Sequence, residues 1–209
     1  MLIQSLFTIK NHFFLSWFAL LLFVLGFAFS WVVERYNLTL FKTMPIWFLK
    51  KTLKYASPQR TFLQVFLFIF CFNSIAIFLY MMSGAFIVLP FIIAFITGTN
   101  IGVISLYPVP PELEEATIYR RKEARPGIIS LLGVLLVPLL EISAFSISMA
   151  MGMAMGIGMY FDFGLLRLSV LAVPRMLAYL VIIVPVLFVS AILEAAAIKD
   201  LQKLQQGIK

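Results

Sequence analysis

The sequence predicts an all-α fold: a polytopic bundle of about five transmembrane helices that forms a single integral membrane domain over residues 1–209. Hydrophobic residues make up 63% of the chain and charged residues only 12%, and the mean hydropathy is +1.06. No soluble core of this size could absorb so much apolar surface. The apolar residues also fall into runs long enough to cross the ~30 Å hydrocarbon core of a bilayer. These runs cover about residues 12–33, 62–81, 84–106, 127–160 and 169–197.

The first span is bracketed by Trp17 and Trp31, and tryptophan favours the membrane interface. Residues 34–61 then alternate basic residues with large apolar ones at near-helical spacing. This pattern predicts an amphipathic helix lying in the interface on anionic lipid, and the alternative is a solvated basic loop. The surface that we expect to bind lipid or a partner consists of Lys42, Lys50, Lys51, Lys54 and, from a later loop, Arg120, Arg121 and Lys122.

The second and third spans are separated only by residues around Ser83, so they are predicted to form a tight helical hairpin. In the third span, Gly98 and Gly102 have the GxxxG spacing that lets another helix backbone approach closely. The loop that follows contains three prolines, which stop the helix, and a run of acidic and then basic side chains. We interpret this run as a short, solvated surface helix rather than an acid–base site.

The fourth span is the longest of the five. As one helix, residues 127–160 would reach roughly 51 Å, well beyond the bilayer core, so we expect either a single span kinked at Pro138 or a re-entrant pair. Its distal part alternates methionines with small residues, and a methionine ladder can hold a soft metal such as Cu(I). Residues two apart point to nearly opposite sides of a helix, however. We therefore favour close helix packing through Gly152 and Gly156.

The fifth span contains Pro174 and Pro185, where we expect further kinks. Five spans place the two termini on opposite sides of the membrane. Thirteen of the sixteen Lys and Arg residues lie in the first loop, the third loop and the tail, against only Lys10 and Arg167 on the other side. By the positive-inside rule, the amino terminus lies outside the cell membrane and the carboxyl terminus is cytoplasmic. Anionic lipid on the cytoplasmic leaflet explains the net charge of +7 better than nucleic acid does.

Three polar side chains are predicted to form a cluster inside the membrane. Counting ~1.5 Å per residue along untilted spans places Glu141 and Arg175 at the same depth, with Asn73 within a turn or so of them. Adjacent antiparallel helices would then pair Glu141 with Arg175, which is how intramembrane charges are usually tolerated. Such a cluster either locks the bundle into one packing or lines a path for protons, ions or a substrate.

The composition argues against several kinds of site. The single cysteine, Cys71, allows no disulfide framework and no cysteine metal site, and His12 is the only histidine. The spans contain no Ser–His, His–metal or paired-Asp constellation, so we expect no enzyme, no cofactor and no metal. The sequence has no nucleotide-binding loop, and ATP-driven work would need a separate subunit.

Three motifs occur in the second, third and fourth spans. The second span has an asparagine followed by a tight hairpin with a glycine and a proline, the third ends in an NGxxxG-like motif, and the fourth resembles HGxxExxA followed by small residues. The matching residues are Asn73, Gly84, Pro90, Gly98, Gly102, Glu141 and Ala144. Thr97 replaces the Asn of the NGxxxG motif, and Val137 and Pro138 replace the His-Gly pair.

Over about residues 62–197 these motifs resemble the stage II sporulation protein M family, small five-span membrane proteins of bacteria and archaea. The resemblance implies a partner-binding protein, since the sporulation member looks like the scaffold of a complex that remodels the cell wall during engulfment. We therefore expect a non-enzymatic scaffold in membrane or envelope remodelling, either as a homodimer or with other membrane proteins. The alternative is a small permease, channel or lipid-transporting subunit with a polar path around Glu141 and Arg175.

Overall fold

The computed structural model of the chain describes residues 12–55, 59–86, 88–106, 128–158, 160 and 168–206. The helices in these ranges are α1 (Phe13–Arg35), α2 (Thr39–Tyr55), α3 (Phe62–Met82), α4 (Leu89–Leu106), α5 (Ile128–Gly158), α6 (Leu168–Ala178) and α7 (Val184–Gln206). A 3₁₀ turn at Ser83–Ala85 follows α3, and a π-helical turn at Tyr179–Ile183 joins α6 to α7. None of the described residues forms a strand, which confirms the all-α prediction.

Among the described residues, five helical stretches are long and apolar enough to cross a bilayer, and this confirms the predicted five-span bundle. They are Phe13–Arg35, Phe62–Ala85, Leu89–Leu106, Leu136–Gly158 and Ala172–Asp200. The remaining helix, α2, begins after Asn37, whose φ of 48° turns the chain out of α1. The start of α3 is fixed by a capping box, in which Thr61 and Gln64 exchange side-chain-to-backbone hydrogen bonds.

The prolines lie inside continuous helices. The helix α5 runs through Pro138 from Ile128 to Gly158, so the fourth span is one helix rather than a re-entrant pair. Pro174 lies inside α6, and Pro185 is the second residue of α7. Pro185 has no N–H to bond the carbonyl four residues earlier. The π-helical turn falls immediately before it, so the helix departs from α geometry where a backbone bond is lost.

The tightest packing in the bundle joins α1 to α4, which run parallel. A Cβ on Gly98 would overlap the carbonyl oxygen of Phe23, and a Cβ on Gly26 would overlap that of Phe95. One turn further along, Gly102 lies against the side chain of Ser30. The predicted GxxxG stripe is therefore used within the chain, where it brings two backbones together.

The helix α5 lies at the centre and packs on both halves of the bundle. Its residues Phe145, Met149 and Met153 face a cluster that includes Ala19 and Phe23 of α1. On its other side, Ala144 and Met151 face α3, the π-helical turn and α7. Met149, Met151, Met153 and Met155 are all fully buried. Alternate methionines point into different clusters and serve as core side chains.

The predicted hairpin between α3 and α4 is tight at its turn but not along its length. The two helices make few contacts with each other below the turn, and α4 packs on α1 and α2 instead. The reason lies at the turn, where a Cβ on Gly84 would overlap the backbone of Gly152. Because α5 enters between the arms at this point, α3 and α4 diverge. On its opposite side α3 packs on α7, with the ring centroids of Phe66 and Phe188 5.3 Å apart.

Candidate functional site

A hydrogen-bonded polar cluster joins three helices at the centre of the bundle. Oε1 of Glu141, on α5, accepts a bond of 2.5 Å from Nδ2 of Asn73 on α3. The same oxygen accepts a bond of 3.5 Å from Oγ of Ser190 on α7. Ser190 is fully buried, while Asn73 and Glu141 are partly buried. The carboxyl group thus connects α3, α5 and α7 through side chains alone.

Contacts near the helix ends that the charge bias predicts to be cytoplasmic set the depth of this cluster. Nζ of Lys199 donates to the carbonyl oxygen of Arg60, which places the start of α3 level with that part of α7. Asn73 lies thirteen residues after Arg60, or ~20 Å, and Ser190 lies nine residues before Lys199, or ~14 Å. In a bilayer core of ~30 Å, Glu141 is therefore near the middle of the membrane.

Arg175 does not belong to this cluster, and the expected pair with Glu141 is wrong. Its Nε donates to the carbonyl oxygen of Met151 at 3.1 Å, and its Nη2 lies 3.3 Å from Nε2 of His12. Met151 is ten residues beyond Glu141 on α5, or ~15 Å. The guanidinium group therefore lies at the level where α1 begins, at one end of the bundle, while the carboxyl group lies near the middle of the spans.

The error came from counting depth inward from the predicted ends of each span. That count places the start of the fourth span at residue 127, but α5 first meets the far end of α7 at Gly133, which lies against Ala197. The actual register puts Ser190 opposite Glu141. Ser190 is fifteen residues from Arg175, or ~22 Å along the helix.

Two members of the site were missed by reasoning from sequence. Ser190 bonds the carboxyl group directly, and Glu194 lies one turn further along α7, near enough for the two carboxyl groups to interact. The available signal was their spacing, because residues four apart on a helix share a face. A serine and a glutamate on one face of an otherwise apolar span mark that face as buried against other polar groups.

Between the cluster and Arg175 lie two buried hydroxyl groups without a hydrogen-bond partner among the described residues. They are Oγ of Ser74, next to Asn73, and Oγ of Ser148, seven residues beyond Glu141 on the same face of α5. The hydroxyl of Tyr179, in the π-helical turn, donates to the carbonyl oxygen of Ser74. Unpaired buried hydroxyls are sites where a bound water can make the missing bonds.

The predicted basic surface is described only in part. Nζ of Lys42 lies 2.8 Å from Oε2 of Glu34 and donates to Oδ1 of Asn37 at 3.1 Å. Lys50 is exposed. The side chains of Lys51 and Lys54 lie outside the described set, as do all atoms of Arg120, Arg121 and Lys122. Lys42 thus holds the start of α2 against the end of α1.

The four predicted packing glycines all lie in helices that the structure describes. Gly98 and Gly102 face α1, and Gly152 faces the backbone at Met81 and Tyr80. Gly156 is buried in the distal part of α5. Within the described residues, no group of three or more His, Cys, Asp or Glu side chains could hold a metal ion.

Comparison with known proteins places this fold in a family. Residues 19–197 match the family model described as stage II sporulation protein M, a match that covers all five spans and includes α1, which the sequence motifs had left out. No curated protein and no solved structure matches the chain. Because the match extends over most of the chain, the resemblance seen in the sequence is confirmed: the chain belongs to the stage II sporulation protein M family.

Proposed function

We propose that this protein is a non-enzymatic integral membrane scaffold, a subunit that recruits partners in membrane or envelope remodelling. The observation that supports it best is the binding of Glu141 from both sides by Asn73 and Ser190. A carboxyl group that receives its hydrogen bonds inside the bundle acts as a tie between helices. Removing either donor would leave the carboxyl group short of a hydrogen bond in hydrocarbon, which is costly.

The glycine contacts support the same proposal. Alternating access requires helices that separate or rock against each other. Here α1 touches α4 through backbone at Gly26 and Gly98, and the turn after α3 touches α5 through backbone at Gly84. Bundle halves joined by backbone contacts and a central polar tie suit a rigid platform whose outer faces are free to bind partners.

The partners that fit this proposal are anionic lipids on the cytoplasmic face and other membrane-spanning helices, including a second copy of the chain. The amino terminus would lie outside the cell and the carboxyl terminus in the cytoplasm, as the charge bias predicts. The glycine stripes are occupied within the chain, so a homodimer needs another face. Asn100 marks one candidate: its half-buried amide, on α4, has no hydrogen bond within the described residues, and an amide in hydrocarbon favours a partner helix.

The proposal is tested by measuring association in the membrane. Labelled full-length chains would be reconstituted at increasing dilution in lipid, and energy transfer between copies would be followed. We expect transfer above that of random encounters, reduced by Asn100→Leu and unchanged by Leu25→Ala on the exposed face of α1. Transfer equal to that of a monomeric control, together with no partner recovered by cross-linking in cells, would contradict the scaffold role.

A small permease, channel or lipid-transporting subunit is the second candidate. It is favoured by the unpaired hydroxyls of Ser74 and Ser148 and by the π-helical turn at Tyr179, since these would line a hydrated passage between Glu141 and the outer surface. Flux of protons, ions or a fluorescent lipid through reconstituted protein would test it. Flux abolished by Glu141→Gln would establish transport, and no flux from folded, inserted protein would exclude it for those species.

A further inference from the structure

The helix α2 packs against the part of the bundle where α1 ends and α3 begins. The ring of Phe41 lies 5.7 Å from that of Phe29 on α1, and the ring of Phe48 lies 4.8 Å from that of Phe72 on α3. Phe29 is six residues from the inner end of α1, or ~9 Å, and Phe72 is ten residues from the start of α3, or ~15 Å. Phe41 and Phe48 can contact rings at these depths only if the axis of α2 itself lies within the inner leaflet rather than in the cytoplasm.

On a face about a quarter turn round the helix from Phe41 and Phe48, α2 has an exposed apolar ridge. Leu40, Met44 and Trp47 are exposed by 83%, 73% and 56%. Their spacing of four and then three residues puts them on one helical face. A row of large apolar side chains on a helix held at this depth meets acyl chains rather than water.

The ridge is flanked by charge and held in position. Lys50 is exposed on the face beside it, and Lys42 bonds both Glu34 and Asn37 where the chain turns out of α1. A basic, amphipathic helix fixed at this level is complementary to an anionic leaflet. These contacts fix the orientation of α2 to the spans, so its insertion is built into the fold.

From this arrangement we propose that α2 is a wedge in one leaflet, which makes the protein prefer and promote bilayers that are convex on the side of α2. The five spans cross both leaflets and occupy both. The helix α2 adds ~25 Å of helix, about 10 Å wide, to the inner leaflet alone. Area added to one leaflet makes the bilayer convex on that side. The inference deepens the remodelling role proposed above and rests on it.

The test uses the labelled full-length chain in giant vesicles that contain anionic lipid, from which narrow membrane tubes are pulled. The ratio of protein to lipid dye in the tube, divided by the ratio in the vesicle, measures sorting by curvature. Orientation is read from the accessibility of a terminal tag. We expect enrichment in the tube when α2 faces the outer, convex leaflet and depletion in the opposite orientation. A sign that does not reverse with orientation would overturn the proposal.

Two matched variants distinguish the effect of the α2 ridge from the effect of removing exposed apolar side chains elsewhere. In the first, Leu40→Ala, Met44→Ala and Trp47→Ala are combined, and we expect loss of sorting in both orientations. The control combines Leu21→Ala, Val24→Ala and Leu25→Ala, which shorten three exposed apolar side chains of the spanning helix α1, and should sort like the original chain. Equal effects of the two variants, or an unaffected ridge variant, would contradict the wedge.

The lipid itself is tested by Lys50→Gln and by vesicles without anionic lipid, each of which should reduce enrichment while the folded protein stays inserted. If the ridge variant sorts normally but loses association with a co-purified protein, α2 is a protein-docking face and the wedge is wrong. Absence of sorting together with persistent self-association would reject this inference and leave the scaffold proposal standing. Loss of self-association with normal sorting would contradict the scaffold proposal and leave the wedge standing.

Discussion

Asn73 and Glu141 are hydrogen-bonded across α3 and α5, and the same register recurs eleven residues later, where Gly84 meets Gly152. Eleven residues are about three helical turns, so both contacts lie on one face of each helix. The lower contact is polar and the upper one is backbone against backbone. Together they fix the position of α3 relative to α5 along the helix axes, and the two spans run parallel. Ser190 adds α7 to the lower contact.

The first prediction concerns this polar tie. Asn73→Ala should destabilise the protein in detergent by about 1–3 kcal/mol, because it leaves a buried carboxyl oxygen short of a donor. Glu141→Gln should cost less, since the amide oxygen still accepts from Asn73 and Ser190. The double replacement Asn73→Ala with Glu141→Ala should cost less than the sum of the singles. Denaturant unfolding of the original chain, Asn73→Ala, Glu141→Ala and the double variant measures the coupling, and strict additivity would show that the bond contributes nothing.

A second prediction separates Arg175 from Glu141. Because Arg175 bonds the carbonyl oxygen of Met151 and approaches His12, it shares no contact with the cluster. The losses caused by Glu141→Ala and Arg175→Ala should therefore add to within roughly 0.5 kcal/mol. The same unfolding assay checks this. A coupling as large as that between Asn73 and Glu141 would mean that the two charges do pair.

The third prediction uses the parallel contact of α1 with α4. Gly98→Ala puts a methyl group into the backbone of Phe23 and should cost about 1–3 kcal/mol, because a backbone cannot move aside. Gly102→Ala meets the side chain of Ser30 most closely and reaches the carbonyl oxygen of Phe27 only at 2.9 Å. Adding Ser30→Gly should therefore rescue part of the loss caused by Gly102→Ala and none of that caused by Gly98→Ala. Thermal stability in detergent provides the readout, and rescue of both or of neither would place the helix contact elsewhere.

Much of the fold is readable from the sequence because hydrocarbon imposes a simple rule. Apolar runs of sufficient length must be helices, so the five spans and the amphipathic segment after the first one follow from composition and spacing. GxxxG at Gly98 marks a backbone contact for the same reason, since only a glycine lets two helices come so close. The sequence does not say which helix comes close, and the structure shows that it is α1 of the same chain.

The polar site was harder to predict because its geometry depends on register. The sequence identifies Asn73 and Glu141 as polar residues within the spans but pairs Glu141 with Arg175, which lies ~15 Å further along the bundle, level with Met151. A shift of ten residues between long apolar helices changes no hydropathy signal. What fixes the register is packing: Gly84 against Gly152 and Gly133 against Ala197. Small residues carry this information only when their partners are known.

The last prediction compares two fully buried serines that differ in one respect. Oγ of Ser190 bonds Glu141, whereas Oγ of Ser148 has no partner among the described residues. Ser190→Ala should destabilise the protein by about 1–3 kcal/mol, because it takes a donor from a buried carboxyl group. Ser148→Ala should be neutral or stabilising by about 1 kcal/mol, since it removes a hydroxyl buried without compensation. Unfolding in detergent measures both. A loss of stability for Ser148→Ala would mean that a bound water satisfies this hydroxyl. A hydrated interior above Glu141 would favour the transport path over the rigid scaffold.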